Sequence, residues 1–477
     1  MKSLISTYIQ NWQVNTARTF LSGPAILLAF FFVSCEEPIE VEGDLVPGGN
    51  STEIRFVEIP LEMNHTAFDS LIVSTNAVAG SRGQIFVGKQ NDPLIGDFSA
   101  SGYFGLLLDN DFRRDSIPSN ASVTQTRLKL GFNYYYGSEF SNLQNFVISQ
   151  LADTLSISGE FYGIFDQFPV DSKVSTDANI FVSPIDSIEY FVPITNDLGS
   201  EILNLINDSD NNSIDIYNAL KGFKIELGSD LNNIQGINLA DGESYLEVIY
   251  ESPELDTLGS VQLSLSGSSF TQVDFQPGSM IPMNYSGKEE FELADDSKAY
   301  FNNMLGISPK VKLSNYLTFL DTVEFMQINR AELVISSPDF VLEDNQTNQI
   351  RPANNIIPYI LGEDGNIEKQ GEDFWAFQAN FGSGGLPVNP NGASTPIALS
   401  YDEGKKEIKG DISFFLQEIY NNPGLWNPDY DFIFTGQFIR RNSTPFNEVP
   451  KINLGNFDHF FVDKENIKIR IYYTTFK

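Results

Sequence analysis

The stretch Tyr245-Leu246-Glu247-Val248-Ile249-Tyr250 puts Leu246, Val248 and Tyr250 on one side of an extended chain and Glu247 on the other. Side chains along a strand alternate between faces. This spacing therefore belongs to a half-buried β-strand, not to a helix, whose apolar positions recur every three or four residues. Arg127-Leu128-Lys129-Leu130-Gly131-Phe132 and Phe223-Lys224-Ile225-Glu226-Leu227 carry the same alternation. Between such runs the chain is dense in Asn, Ser, Gly and Asp, the residues that open and close turns. Helical spacing stands out in two places. Leu198 to Ile206 has apolar residues at 198, 202, 205 and 206 behind a cap candidate in Asn196 or Asp197. Ile412 to Tyr420 has them at 412, 415, 416, 419 and 420 behind Asp411, and Pro423 follows.

The order of these features repeats. In the first half come an early strand with Leu128 and Leu130, the helix at 198–206, then Lys221-Gly222-Phe223-Lys224-Ile225, and the closing strand Tyr245 to Tyr250. In the second half come Asn329-Arg330-Ala331-Glu332-Leu333-Val334-Ile335-Ser336, the helix at 412–420, then Phe432-Ile433-Phe434-Thr435-Gly436-Gln437-Phe438. Ile467-Lys468-Ile469-Arg470-Ile471-Tyr472-Tyr473 closes that half. A repeated order of elements is the mark of related units. In Ala331-Glu332-Leu333-Val334-Ile335 and Leu246-Glu247-Val248-Ile249-Tyr250 each half resembles jelly-roll modules. The resemblance implies an early and a final strand lying side by side in two packed antiparallel sheets. The expected fold is all-β: two related jelly-roll-like antiparallel β-sandwich domains, 53–252 and 257–477, each with one short helix. Ser252-Pro253-Glu254-Leu255 is the expected joint.

The N-terminus reads as an address. Lys2 and Arg18 are the only charges before position 36, and Leu21 to Val33 is an apolar run. A membrane-spanning helix needs about 20 apolar residues, so this run has the length of a signal-peptide core instead. It ends at Phe32-Val33-Ser34-Cys35, which resembles the lipobox of bacterial lipoproteins, with Phe32 where Leu is usual. The resemblance implies cleavage after residue 34 and transfer of a diacylglycerol bearing palmitate-type chains to the Cys35 thiol. Cys35 is the chain's single cysteine, and a lipid thioether accounts for an unpaired thiol in an exported protein. Residues 1–34 are thus the expected signal peptide. Residues 35–52 are the expected tether, opening with Glu36-Glu37-Pro38-Ile39-Glu40-Val41-Glu42 and running on through Gly43 to Asn50. The acidic start resembles the surface-export signal of Bacteroidetes lipoproteins and implies an outer-membrane protein facing the cell surface.

Composition narrows the partners. Removing 34 residues from 477 leaves 443, more than one hydrophobic core usually serves. The net charge is −34, and −36 once Lys2 and Arg18 are gone. Such a polyanion repels phosphate backbones and anionic headgroups, so nucleic acid is excluded as a partner. Hydrophobic residues at 41% and aromatic residues at 13% exclude a mainly disordered chain.

Gly43-Asp44-Leu45-Val46-Pro47 and Gly88-Lys89-Gln90-Asn91-Asp92-Pro93-Leu94-Ile95-Gly96 together resemble a Bacteroidetes lipoprotein family known only as domain of unknown function 4270. The second segment is similar to that family's G-x-x-x-D-P-x-F-G pattern, with Ile95 in place of Phe. Asp92-Pro93 followed by Gly96 also reads as a rigid turn. The resemblance implies an envelope location for the mature chain and supplies no catalytic residue.

Chemistry-bearing patterns are sparse. His65 and His459 are the two histidines, far apart in sequence and without a nearby Cys or second His for a zinc site. There is no G-x-S-x-G elbow, phosphate-cradling loop or dinucleotide fingerprint, and no cofactor is expected. Asp208, Asp210 and Asn212 alternate like the oxygen ligands of a calcium loop. However, Ser213 and Ala219 stand where such a loop has Gly and the bidentate Glu, so a solvated loop is expected there. Trp375, Trp426 and Tyr135 are the candidate glycan contacts; core packing is the competing use of such rings. Six triplets resemble the Bacteroidetes O-glycosylation sequon of Asp, then Ser or Thr, then an aliphatic residue. They place candidate acceptors at Ser70, Ser116, Thr154, Ser187, Thr257 and Thr322; ordinary turn chemistry is the competing reading. The expected role is a non-catalytic, lipid-anchored structural or accessory subunit, held to the membrane by its lipid and working with other envelope proteins. A surface glycan-binding lipoprotein is the alternative, and a surface glycan hydrolase stands behind it.

Overall fold

In the computed structural model the described residues run from 52 to 476. Outside them lie 69–72, 74–82, 110–111, 113–116, 158–161, 177–178, 184–188, 241, 266, 284–289, 303–304, 341–355, 371–372, 375, 378–396, 428–429, 436–456 and 458. The expected signal peptide, the tether and Cys35 fall outside them, as do Ser70, Ser116, Ser187 and Trp375. The protein is all-β, built as sandwiches of largely antiparallel sheets, with four helices among the described residues.

Two of the four large sheets alternate in burial. The first outer sheet has the strand order Tyr190–Ile194, Ser122–Leu130, Tyr245–Glu251, Gly259–Ser264, Leu107–Leu108. The second has the order Thr52–Pro60, Ile467–Phe476, Gln327–Ser336, Glu407–Asp411, Ser400–Asp402. In Tyr190–Ile194 and through Ile467–Ile471 every second residue is buried. That is the burial expected of a sheet with one face on a core and one on water.

In the other two sheets several strands are covered on both faces, although Phe223–Leu227 still alternates and Val170–Lys173 is exposed. The first inner sheet runs Asn179–Phe181, Leu143–Leu151, Phe223–Leu227, Gly96–Phe104, Gln84–Asp92, Asn233–Asn238, Phe132–Gly137. Ser269–Pro277 adds to Gly96–Phe104, and Val170–Lys173 to Leu143–Leu151. The second inner sheet runs Asp339–Phe340, His459–Asp463, Lys298–Asn302, Ile307–Lys312, Asp431–Thr435, Ile357–Leu361, with Glu62–Ala67 on Ile307–Lys312. All five residues of Ile357–Leu361 are buried, as are four in a row in His459–Asp463 and in Lys298–Asn302.

Three cores explain this. One joins the first outer and inner sheets through residues such as Leu128, Val248, Phe104 and Ile225. A second joins the other pair through Leu333, Ile469, Phe301 and Phe432. The third lies between the two inner sheets and combines Phe86, Phe98, Tyr136 and Phe270 with Tyr300, Ile307, Tyr359 and Phe461. Stacked rings within it include Tyr103 on Phe270 at 4.6 Å and Tyr300 on Phe461 at 4.7 Å. Each large apolar side chain buried this way contributes about 1.5–3 kcal/mol of transfer free energy. Residues 56–473 accordingly form one compact unit.

The repeated order of elements has a structural counterpart. Tyr245–Glu251 pairs directly with Ser122–Leu130, Leu246 opposite Leu128. Ile467–Phe476 likewise neighbours Gln327–Ser336. Helix α1 (Asn196–Asn207) packs on the early strand of the first half. Three more helices follow in chain order: α2 (Ser213–Leu220), α3 (Ser314–Leu320) and α4 (Ser413–Asn421), and α4 packs on the early strand of the second half. The strand after α2, Phe223–Leu227, and the one after α4, Asp431–Thr435, both enter inner sheets.

Other expectations need correction. Thr52–Pro60 and Glu62–Ala67, grouped by sequence with the first half, pair into the sheets of the second. Gly259–Ser264 and Ser269–Pro277, grouped with the second half, pair into the sheets of the first. Ser252 to Leu255 is not a joint but part of a hairpin turn: the Ser252 carbonyl accepts from Leu255 N at 3.0 Å, and its hydroxyl from Glu254 N at 3.1 Å. A Pro-containing turn and a linker share one composition, and partner choice between strands leaves no local mark. Among the described residues each half also carries two α-helices where one was expected. The cap of α1 is Thr195, so Asn196 and Asp197 are its first helical residues, while Asn196 Nδ2 donates to the Thr124 carbonyl at 3.3 Å. Helix α4 starts at Ser413, whose amide donates to Asp411 Oδ1 at 2.9 Å.

Candidate functional site

The segment Gly88 to Gly96 forms the hairpin between two central strands of the first inner sheet. Asp92 Oδ1 accepts from the amides of Leu94 at 2.8 Å and Ile95 at 3.1 Å, and this closes the turn behind Pro93. Gly88 and Gly96 both sit at φ +134°. A Cβ there would lie 2.1 Å from the carbonyl oxygen of Asn233 or of Gln276, so both the backbone angle and the space require glycine. The Gly278 amide donates to the Ile95 carbonyl and the Met280 amide to the Leu94 carbonyl, both at 2.8 Å. Ile95, fully buried in the third core, is fixed there by the turn. The spaced residues Gly88, Asp92, Pro93 and Gly96 thus set a strand turn that drives an aliphatic plug between the inner sheets.

The chain's only two histidines both meet Tyr300, a residue of this third core. His459 Nδ1 donates to the Phe457 carbonyl at 3.3 Å, and its Nε2 accepts from the Tyr136 hydroxyl at 3.3 Å. Its ring packs near Phe98 and Tyr300. Burial lowers its pKa to about 4, against the pull of the Asp92 carboxylate. His65, on Glu62–Ala67, accepts the Tyr300 amide on Nε2 at 2.9 Å and stacks on Phe291 at 5.6 Å. Its proton therefore sits on Nδ1, which has no hydrogen-bond partner among the described residues. Burial, and then the charge of Lys464, lowers its pKa to about 3. Asn302 Nδ2 donates to the Tyr300 hydroxyl at 2.8 Å, and burial raises that phenol well above its usual range. Tyr134 Oη accepts from the Phe457 amide at 2.9 Å, a second polar link between the halves. Both imidazoles are neutral at pH 7; His65 links two strands of the second inner sheet, and His459 links that sheet to Tyr136 of the first.

The expected site residues are scattered. Trp426 is a core residue, not a glycan platform: only 4% of it is exposed, and it meets Phe377, Phe415 and Tyr430 edge to face. Tyr135 is half-buried between Phe132 and Phe140, and burial pushes its phenol up to about 12. Thr154, Thr257 and Thr322 are all exposed. Thr154 donates to the Asn218 carbonyl at 3.3 Å and Thr322 to the Phe319 carbonyl at 2.7 Å. The oxygen-rich stretch at 208–215 is the start of α2. Asp208 Oδ1 accepts from Asp210 N, Asn212 caps the helix through Ile214 N and Asp215 N, and Asp215 Oδ2 accepts from Asn212 N. Among the described residues no group of three or more His, Cys, Asp or Glu is placed to hold a metal ion.

The comparisons with known proteins returned no matching family model, no matching curated protein and no matching solved structure.

Proposed function

We propose that the chain is a non-catalytic, lipid-anchored outer-membrane protein that serves as a structural or accessory subunit of an envelope complex. The observation that carries this reading is Cys35, the single cysteine, at the end of the apolar run Leu21 to Val33 and ahead of an acidic tether. One acyl chain on a cysteine gives weak attachment, and several make it lasting. Beyond the anchor, a large double sandwich whose two histidines are committed to internal bonds suits a scaffold. The acidic tether favours the cell surface as the side on which the body lies. The glycine, aspartate and proline of the Gly88 to Gly96 hairpin each meet a stereochemical need, which supports membership of the family of unknown function that they resemble. The exposed hydroxyls of Thr154, Thr257 and Thr322 favour their use as O-glycan acceptors. Glycan binding, the second reading, now rests on the half-buried Tyr135, with Trp426 inside the core.

The direct test is mass spectrometry of the N-terminal fragment from purified envelopes, followed by affinity capture in mild detergent. A diacylglyceryl adduct on Cys35 and co-purifying envelope proteins are the expected results. An unmodified Cys35 overturns the anchor, and capture of this chain alone overturns the subunit role.

A further inference from the structure

The water-facing side of the second outer sheet differs from the rest of this polyanion. Phe56 and Tyr472 are 51% and 42% exposed, and their rings lie 4.7 Å apart. Beside them on the same strand Arg470 Nε meets Glu58 Oε1 at 2.9 Å and Arg470 Nη1 meets Glu407 Oε1 at 2.8 Å. Lys468 meets Glu58 at 2.6 Å, and Lys409 lies 3.6 Å from both Glu407 and Asp402. Arg330, paired with Glu332, and Asp411 share this face, which thus carries four cations against five anions in a chain of net charge −34. A nearly balanced face can approach an anionic headgroup layer, whereas the remaining acidic surface is repelled from it. Aromatic rings with flanking Lys and Arg are the side chains that settle at the boundary of lipid and water.

The length of chain before this face selects the occupant. Phe56 follows Cys35 by 21 residues (56 − 35), and the strand that carries it begins at Thr52. Twenty-one residues reach at most ~75 Å from the anchor even when fully extended. A lipid on Cys35 therefore holds Phe56 within that reach of the bilayer and raises the local concentration of headgroups around it. We propose that the outer face of this sheet, centred on the Phe56–Tyr472 ring pair, rests on the lipid headgroup surface. This inference depends on the lipid-anchor reading of Cys35.

The test uses the lipidated full chain in vesicles of phosphatidylethanolamine and phosphatidylglycerol. A nitroxide is attached in turn at Phe56→Cys, Tyr472→Cys and Leu258→Cys; Leu258 is 61% exposed and lies in the other sandwich. Acylation of Cys35 leaves each new thiol as the only free one. The expected result is a ratio of oxygen to nickel-chelate accessibility severalfold higher at positions 56 and 472 than at 258. Equal ratios at all three positions, with Cys35 shown by mass to be acylated, overturn this inference and leave the anchor standing. Spin–spin broadening at 472 without a raised oxygen ratio overturns it in favour of a second copy covering the face. An unacylated Cys35 overturns the anchor and this inference together.

Discussion

The outer and inner sheets of this protein are made from the same residue types, yet they read differently. In the outer sheets one face meets water, so Tyr190–Ile194 and Ile467–Phe476 largely alternate and announce themselves as strands. Where an inner-sheet strand is covered on both faces, as Ile357–Leu361 is, it becomes an unbroken apolar run with no periodicity to read. The lesson concerns assembly. A sandwich with one wet face can stand alone, whereas a strand buried on both sides needs a third layer against it. The third core, between the inner sheets, is what makes residues 56–473 a single unit.

The sharpest way to break this comparison is to empty the third core. Tyr300→Ala removes a fully buried ring, stacked on Phe461, that also packs near His459. It is expected to cost about 3–5 kcal/mol in urea unfolding. The same truncation at Tyr472, on the wet face, should cost under about 1 kcal/mol. Equal costs would remove the distinction between inner and outer sheets.

Acid is the next lever. His459 has a folded pKa of about 4 and His65 of about 3, against an unfolded value of about 6.5. Folding thus favours the neutral rings. The stability this gives is whole above pH 6.5 and drains away as pH falls from 6.5 toward 4 and then 3. For His459 alone the loss at pH 5 is about 2 kcal/mol, at about 1.4 kcal/mol per pH unit. His459→Gln, unable to titrate, should remove about half of the histidine slope between pH 6.5 and 4, His65 supplying the rest; an unchanged slope would show that the ring titrates alike in both states.

Gly96→Ala should cost about 1–3 kcal/mol through strain, because its φ of +134° and the Gln276 carbonyl leave a methyl no place. Removal of the helix cap by Asn212→Ala should cost about 1 kcal/mol, since Asn212 accepts from both Ile214 N and Asp215 N. Thermal melts of the two variants rank them, and a larger effect at Asn212 would reverse the order.

Legibility in the sequence followed the same physics. The strands at 122–130, 223–227 and 245–251, and the helices at 196–207 and 413–421, were readable because each leaves a periodic stripe. Helix α2 carried a readable sign, the pairing of Asn212 with Asp215 three residues on, but its oxygens resemble cation ligands as much as caps. Helix α3 has no side-chain cap at all, so no local sign existed. The exchange of strands between halves was invisible because pairing partners are chosen over long distances, as with His65 and Tyr300. At the candidate site the turn at Asp92-Pro93 was legible from Gly96 and the proline. The convergence of His65 and His459 on Tyr300 was not, because 394 residues (459 − 65) separate them in the chain.

The most direct test of the shared core is native-state hydrogen exchange followed peptide by peptide. Amides of Gln84–Asp92 and His459–Asp463, on the inner sheets, are expected to exchange as slowly as those of Tyr245–Glu251 and only through global unfolding. Fast exchange in the inner strands, while Tyr245–Glu251 stays protected, would contradict a core between the two inner sheets.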